Sequence, residues 1–293
     1  MSTYTQQNKI PLVIIHTGYR DYLRVNLEIS GKKNKIYLIG DESNKHLEKI
    51  HNVTFVDISQ YRNLKLIQIL KKFFTNFSSN NSLFEWVCFE RVFILKFFME
   101  QHSLEKVFHM DSDNILLTDI NTYKFKKKIA YCLCKNYHDL RMSHSIHVGL
   151  LTIDFCDAFI QLYKDLYVNK SKFHLIEDKI KYHTGPSGTG FIKGGICDMT
   201  LYYLLVRENI LEVQNLLEPN NDREIFINQF QSAEGSLDKN QYELIDNFVK
   251  INFLPDKLTV NDTILKQKFE ILNIHFQGNS KRFLNDSFKN KLI

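Results

Sequence analysis

Two carboxylates, Asp111 and Asp113, stand two residues apart just after the apolar run Val107-Phe-His-Met110. In an extended segment, side chains at i and i+2 point the same way. No Arg or Lys lies between them, so the pair is expected to repel and to have raised pKa values. A divalent cation removes that conflict, and hard oxygen ligands suit Mg²⁺ or Mn²⁺. A polar turn after a strand uses the same residue types, so the pair alone is unspecific.

Further groups fall where a parallel sheet would gather them. Pro11–Ile15, Lys35–Ile39 and Val53–Val56 are short apolar runs separated by helical spacing over Arg20–Ser30. That alternation predicts βαβ units, and ligands then sit beyond the carboxyl ends of the strands. Thr17, Gly18, Asp41 and Asp111 all fall at such ends. Helices are expected over Leu64–Phe74 and Phe84–His102, joined by a polar linker at Asn76–Ser82. Phe84, Cys88, Arg91, Leu95 and Phe98 share one face of the second helix, placing Arg91 in an apolar stripe. A guanidinium there needs a core carboxylate, an escape to the rim or a ligand phosphate.

Ile129–Cys134 and His147–Ile153 read as further strands, and Asp154–Tyr167 as a helix with Asp154 as N-cap. Tyr182–Gly195 carries five glycines, without a P-loop or a dinucleotide fingerprint. It reads as a loop passing close to a ligand or another backbone. Asp198 follows in the first turn of a helix, where it either complements the helix dipole or acts as a site acid. Ile225–Ile227 and Phe248–Phe253 read as strands, with a polar hinge at Glu234–Ser236. In Leu272–Gly278 the pattern alternates, with Asn273, His275 and Gln277 on a polar face. His275 comes just before Gly278 and Lys281.

Composition bounds the reading. The chain has 293 residues, 44% hydrophobic and 24% charged, and a net charge of +5. That is globular, with no nucleic-acid module. Five cysteines with no Cys-x-x-Cys pair argue against a disulfide framework and a structural zinc. The polar stretch Met1–Lys9 lacks a signal-peptide core, and charges within Phe84–Met99 forbid a membrane span. The expectation is a soluble, reducing, cytoplasmic compartment.

Taken together, Asp111-x-Asp113, His275-x-x-Gly278-x-x-Lys281, Arg91 and Asp198 resemble the nucleotide-sugar-dependent glycosyltransferases of GT-A fold, nearest the glycogenin and bacterial galactosyltransferase group. The resemblance runs from about Leu12 to Lys281. It implies one α/β, Rossmann-like domain over 1–293, with a mostly parallel central sheet flanked by helices. Residues 10–135 would form the nucleotide-binding half, and 136–293 an acceptor-binding half returning His275 to the metal. It further implies Asp111, Asp113 and His275 as ligands of Mn²⁺ (or Mg²⁺) bridging the donor diphosphate. Gly278 and Lys281 would contact that diphosphate, Thr17, Gly18, Tyr19 and Asp41 the base and ribose, and Ser112 the donor. Arg91 would lie near diphosphate and sugar, Gly195 and Asp198 near the sugar and acceptor, with Asp198 as the catalytic-site acid.

The implied reaction moves a sugar from a nucleotide diphosphate sugar, a UDP-sugar above all, to a glycan, lipid-linked or protein acceptor. Retention is favoured over inversion, with at most peripheral membrane contact. Two departures stand out: Arg282-Phe283 replaces the group's Pro-Trp, and Asp198-Met replaces Asp-Gln. The alternatives are a haloacid-dehalogenase-like phosphohydrolase, whose later acidic pair and lysine are not found, and a non-catalytic nucleotide-sugar-binding protein. A nucleotidylyltransferase would need a Gly-rich basic loop after the first strand, which His16-Thr-Gly-Tyr-Arg20 lacks.

Overall fold

A computed structural model describes residues 9–136, 138–184, 194–231 and 241–292. The glycine-rich stretch at 185–193 and the hinge at 234–236 lie outside the described residues.

The chain adopts the expected α/β class. Strands β1 (Leu12–His16), β2 (Ile36–Gly40), β3 (Val53–Asp57), β4 (Lys106–Met110), β5 (Ala130–Cys132), β6 (Ser145–Thr152) and β7 (Gln214–Asn215) form a central sheet in the order β7-β5-β6-β4-β1-β2-β3. All neighbours run parallel except β6, which is antiparallel to both β4 and β5. The near-continuous apolar runs of β1 and β2 suit strands covered on both faces. In β1, Val13 faces one core and Leu12 and Ile14 the other. The first core holds helices α2 (Ser82–Gln101), α3 (Ile153–Tyr163) and α4 (Asp198–Arg207); the second is covered by α1 (Asp21–Ser30).

Several expected boundaries move for local reasons. The helix expected over Asp154–Tyr167 is capped by Thr152, whose hydroxyl accepts from the Phe155 amide at 3.2 Å, and it passes into a π-turn at Lys164–Val168. Asp154 therefore sits inside the first turn. The linker at Asn76–Ser82 contains a short strand, Phe77–Ser78, which pairs with Gly195–Ile196. The strand expected at Phe248–Phe253 is split into Phe248–Val249 and Asn252–Phe253. A second sheet of four short strands, Glu224–Ile225, Gln267–Ile271, Leu258–Asp262 and Asn252–Phe253, was not expected as a unit.

One small ladder matters most. Asn273–His275 runs antiparallel to Asn114–Leu116, with His275 opposite Asn114. Both faces of this strand are covered, so the polar face read from the alternation points into the protein. Asn273 donates to Asn114 Oδ1 at 3.0 Å across 159 residues of sequence, and Asn114 donates to the His147 carbonyl at 3.2 Å. Such satisfied buried amides fix register where an apolar strand could slip.

Candidate active site

The cleft opens at the carboxyl ends of β1 and β4 and has a volume of about 660 Å³. Its lining includes Asp111, Ser112, Asp113, Arg91, Asp198, His275, Gly278 and Lys281. These come from four separate stretches of sequence.

Backbone hydrogen bonds hold the acidic turn. The Asp111 amide donates to the His147 carbonyl at 2.9 Å, and the Phe276 amide donates to the Asp113 carbonyl at 2.8 Å. Asn26 Nδ2, on α1, donates to the Ser112 carbonyl at 2.8 Å. The turn is thus tied to β6, the C-terminal strand and α1 at once. One ligand atom from each of Asp111, Asp113 and His275 can be chosen so that all three lie within 4.8 Å of one another.

A hydrogen bond to main chain fixes the histidine's orientation. Its Nδ1 lies 2.7 Å from the Asn228 carbonyl, which can only accept, so Nδ1 carries the proton. Nε2 faces Asp113 Oδ1 at 3.5 Å and is the nitrogen available to a metal; without one, burial lowers the imidazole pKa but Asp113 and Asp111 outweigh it and raise the pKa above its ordinary value. A histidine whose far nitrogen is held by a carbonyl is how metal-ligating imidazoles are usually fixed. The ring also stacks on His147 at 4.3 Å between centroids. Burial first, and then the neighbouring His275, hold the His147 pKa down to about 3, so it is a neutral support. Two carboxylates and one such nitrogen fit a hard divalent ion such as Mn²⁺ or Mg²⁺.

The expectation that the two acids would have raised pKa values is overturned. Burial alone pushes Asp111 up, but the Arg91 guanidinium and His109 outweigh it and hold the carboxyl far below its ordinary value. Asp113 is likewise pushed up by burial and brought down overall by His275 and Lys281. No cation lies between the acids in sequence, but the fold brings one to each. Arg91 Nη1 lies 2.5 Å from Asp111, and Lys281 Nζ 3.0 Å from Asp113.

Arg91 is the hinge of the second half of the site. Its Nη2 reaches Asp198 at 2.5 Å, so one guanidinium bridges carboxylates on β4 and α4. Of the three partners open to Arg91 from sequence, the structure shows carboxylates, and both face the cleft. Asp198 also accepts from the Tyr202 hydroxyl at 3.0 Å. Capping of α4 falls to Cys197 and Thr200, which frees Asp198 at the first helical position to point at Arg91. The apolar stripe expected on α2 is broken at its start: Phe84 is 59% exposed and forms cleft wall with Cys88.

Other expected residues are placed differently. Asp41 caps the 3₁₀ turn Glu42–Lys49 through Ser43 and accepts from the Gly18 amide at 2.7 Å. Gly18 and Tyr19 are exposed and Thr17 and Asp41 half-buried at the ends of β1 and β2, an edge outside the cleft lining, which His16 and Tyr22 supply there. Gly278 lines the cleft at φ +59°, with open space where a Cβ would be. Gly195 is a packing residue: at φ +133° its missing Cβ would fall 2.1 Å from the Phe77 carbonyl oxygen, and it does not line the cleft. Sequence reasoning passed over His147, Asn114, Asn228 and Glu85, which support or line the site. Glu85 was legible only as a charge in an apolar helix.

No protein-family model matches the chain, and no curated protein matches it. Among solved structures, the chain is similar to mouse xyloside xylosyltransferase 1, at 14% identity and a TM-score of 0.47 over 75% of this chain and 87% of that one. A glycosyltransferase involved in glycosylation of the major capsid of PBCV-1 is 10% identical, with a TM-score of 0.42 over 96% of this chain and 98% of that one. The bifunctional glycosyltransferase WbbM is 12% identical, with a TM-score of 0.44 over 98% of this chain and 49% of that one.

Proposed function

We propose that the chain is a metal-dependent glycosyltransferase that takes a sugar from a nucleotide diphosphate sugar, a UDP-sugar above all, in a GT-A arrangement. The observation that carries this reading is the convergence of Asp111, Asp113 and a carbonyl-oriented His275 within 4.8 Å, beside Lys281. Asp111, Asp113 and His275 would hold the divalent ion, which would supply Lewis-acid neutralisation of charge on the leaving diphosphate.

The protein's own groups do the rest. Lys281, now paired with Asp113, turns toward the diphosphate, and Gly278 lets that anion approach the backbone. Ser112, in the cleft lining, would contact the donor. Thr17, Gly18 and Tyr19, braced by Asp41, receive the base and ribose at the edge of the cleft. Arg91 keeps Asp111 ionised while holding Asp198, which orients the transferring sugar as the catalytic-site acid. Gly195 acts at one remove, fixing the start of α4. Retention is favoured, and the acceptor is a glycan, a lipid-linked sugar or a protein.

The test is incubation with a panel of nucleotide sugars and Mn²⁺, reading released nucleotide. Release by the wild type, abolished in Asp111→Asn and Asp113→Asn, is expected. Release that survives both substitutions sinks the metal assignment.

A further inference from the structure

The second sheet and the adjoining Leu244–Val249 hairpin leave apolar side chains at the surface that the cleft does not use. Phe253 is 47% exposed, Leu254 39% and Ile245 55%. A groove of about 420 Å³ contains Phe253 and Ile245 and is walled by Phe230, Phe248, Phe283 and Phe288. A second hollow of about 280 Å³ shares Phe253 and adds Leu254 and Pro255. Phe253 therefore stands where two hollows meet. Isolated apolar residues at a surface need no explanation, but a contiguous aromatic patch of this kind marks an interaction site.

The charges around it say which kind. Lys250 and Arg282 line the first groove; Lys32, Lys33, Lys257 and Lys291 line the second. Against these six cations stand three lining carboxylates, Asp246, Asp256 and Glu270. Glu270 lies 3.6 Å from Lys257, and Glu243 lies 3.2 Å from Lys250. A positive excess surrounding the partly exposed Phe253-Leu254 pair suits a surface that is anionic outside and apolar just beneath. A second copy of the chain fits worse, because a two-fold contact would set the same cationic patch against itself.

We propose that this face docks on an anionic lipid surface, with Phe253 and Leu254 entering the headgroup–acyl boundary and the surrounding cations meeting lipid phosphates. The consequence for the cleft is direct. Arg282 and Phe283 belong to the same 3₁₀ turn, Gly278–Phe283, as Lys281, whose Nζ lies 3.0 Å from Asp113. Docking would set the rim of the cleft at the lipid surface. The inference rests on the patch alone and stands whether or not the chain transfers sugars.

The experiment is flotation of the full chain with vesicles of pure phosphatidylcholine and of equimolar phosphatidylcholine and phosphatidylglycerol. The wild type is expected to float with the anionic vesicles only, less so as salt is raised. Phe253→Ser with Leu254→Ser should abolish flotation. Lys250→Ala with Arg282→Ala should weaken vesicle binding on the order of thirtyfold, with circular-dichroism melts showing both variants folded. A wild type that does not float overturns the proposal, as do variants that float like it. A dimer lost in the Phe253/Leu254 variant, without vesicle binding, would overturn it in favour of a second copy.

Discussion

The two halves of the cleft are built by different means. The Asp111–Asp113–His275 pole is set by main chain: the 114–116/273–275 ladder and the amides of Asp111 and Phe276 fix three side chains with little freedom. The Arg91–Asp198 pole is set by side chains alone, one guanidinium reaching two carboxylates from separate helix and strand ends. A backbone ladder gives rigidity to the pole that must hold fixed ligand distances. A side-chain bridge can reopen when a ligand competes for the same charges. On the proposed function, the first pole is preorganised for a metal, while the second can exchange protein partners for substrate.

The sharpest way to break the contrast is at its ligands. Asp113→Ala should reduce nucleotide release by more than about a hundredfold, beyond the loss typical of supporting groups, and chelation should reproduce that loss reversibly in the wild type. Next comes the bridge. Arg91→Ala removes the cation shared by the buried Asp198 and the half-buried Asp111 and should destabilise the fold by up to about 3–5 kcal/mol, read by denaturant unfolding. The ladder should show a mixed effect: Asn273→Ala strands buried polar partners at a stability cost of about 1–3 kcal/mol and should weaken Mn²⁺ binding roughly tenfold or more. Smallest is the edge at the ends of β1 and β2, where Asp41→Ala removes a cap at about 1 kcal/mol and should raise the KM for donor more than it lowers kcat.

A pH series sharpens the same comparison in metal-free protein. Asp111 and Asp113 have folded pKa values below their ordinary ones. Their contribution is then fully present above the unfolded value near about 4 and is lost as pH falls below it. Acid melts should show a steeper loss of Tm below about pH 4 for the wild type than for Asp111→Asn.

Much of the fold was legible because β1, β2 and β4 are apolar runs of strand length with helical spacing between them. Asp111, Asp113 and His275 were found from residue type and from a strand end, and the structure brings them together. What failed was whatever depended on long-range partners. The carboxylates were expected to be electrostatically frustrated because Arg91 and Lys281 are 20 and 168 residues from their partners in sequence. Gly195 lies in a stretch read as passing close to a ligand or another backbone, because a glycine's openness does not say which approaches it; in the structure the Phe77 carbonyl does. The second sheet escaped notice because its strands are short and its partners come from distant segments.

The central claim is that a divalent ion held by Asp111, Asp113 and His275 binds a nucleotide diphosphate. Titrating Mn²⁺ into the protein with and without UDP, and following the free Mn²⁺ signal by electron paramagnetic resonance, tests it most directly. The account predicts one bound ion per chain, tighter with UDP, and loss of binding in Asp113→Asn and His275→Ala. Equal Mn²⁺ binding by the wild type and both variants, or no effect of UDP on the wild type, would contradict it.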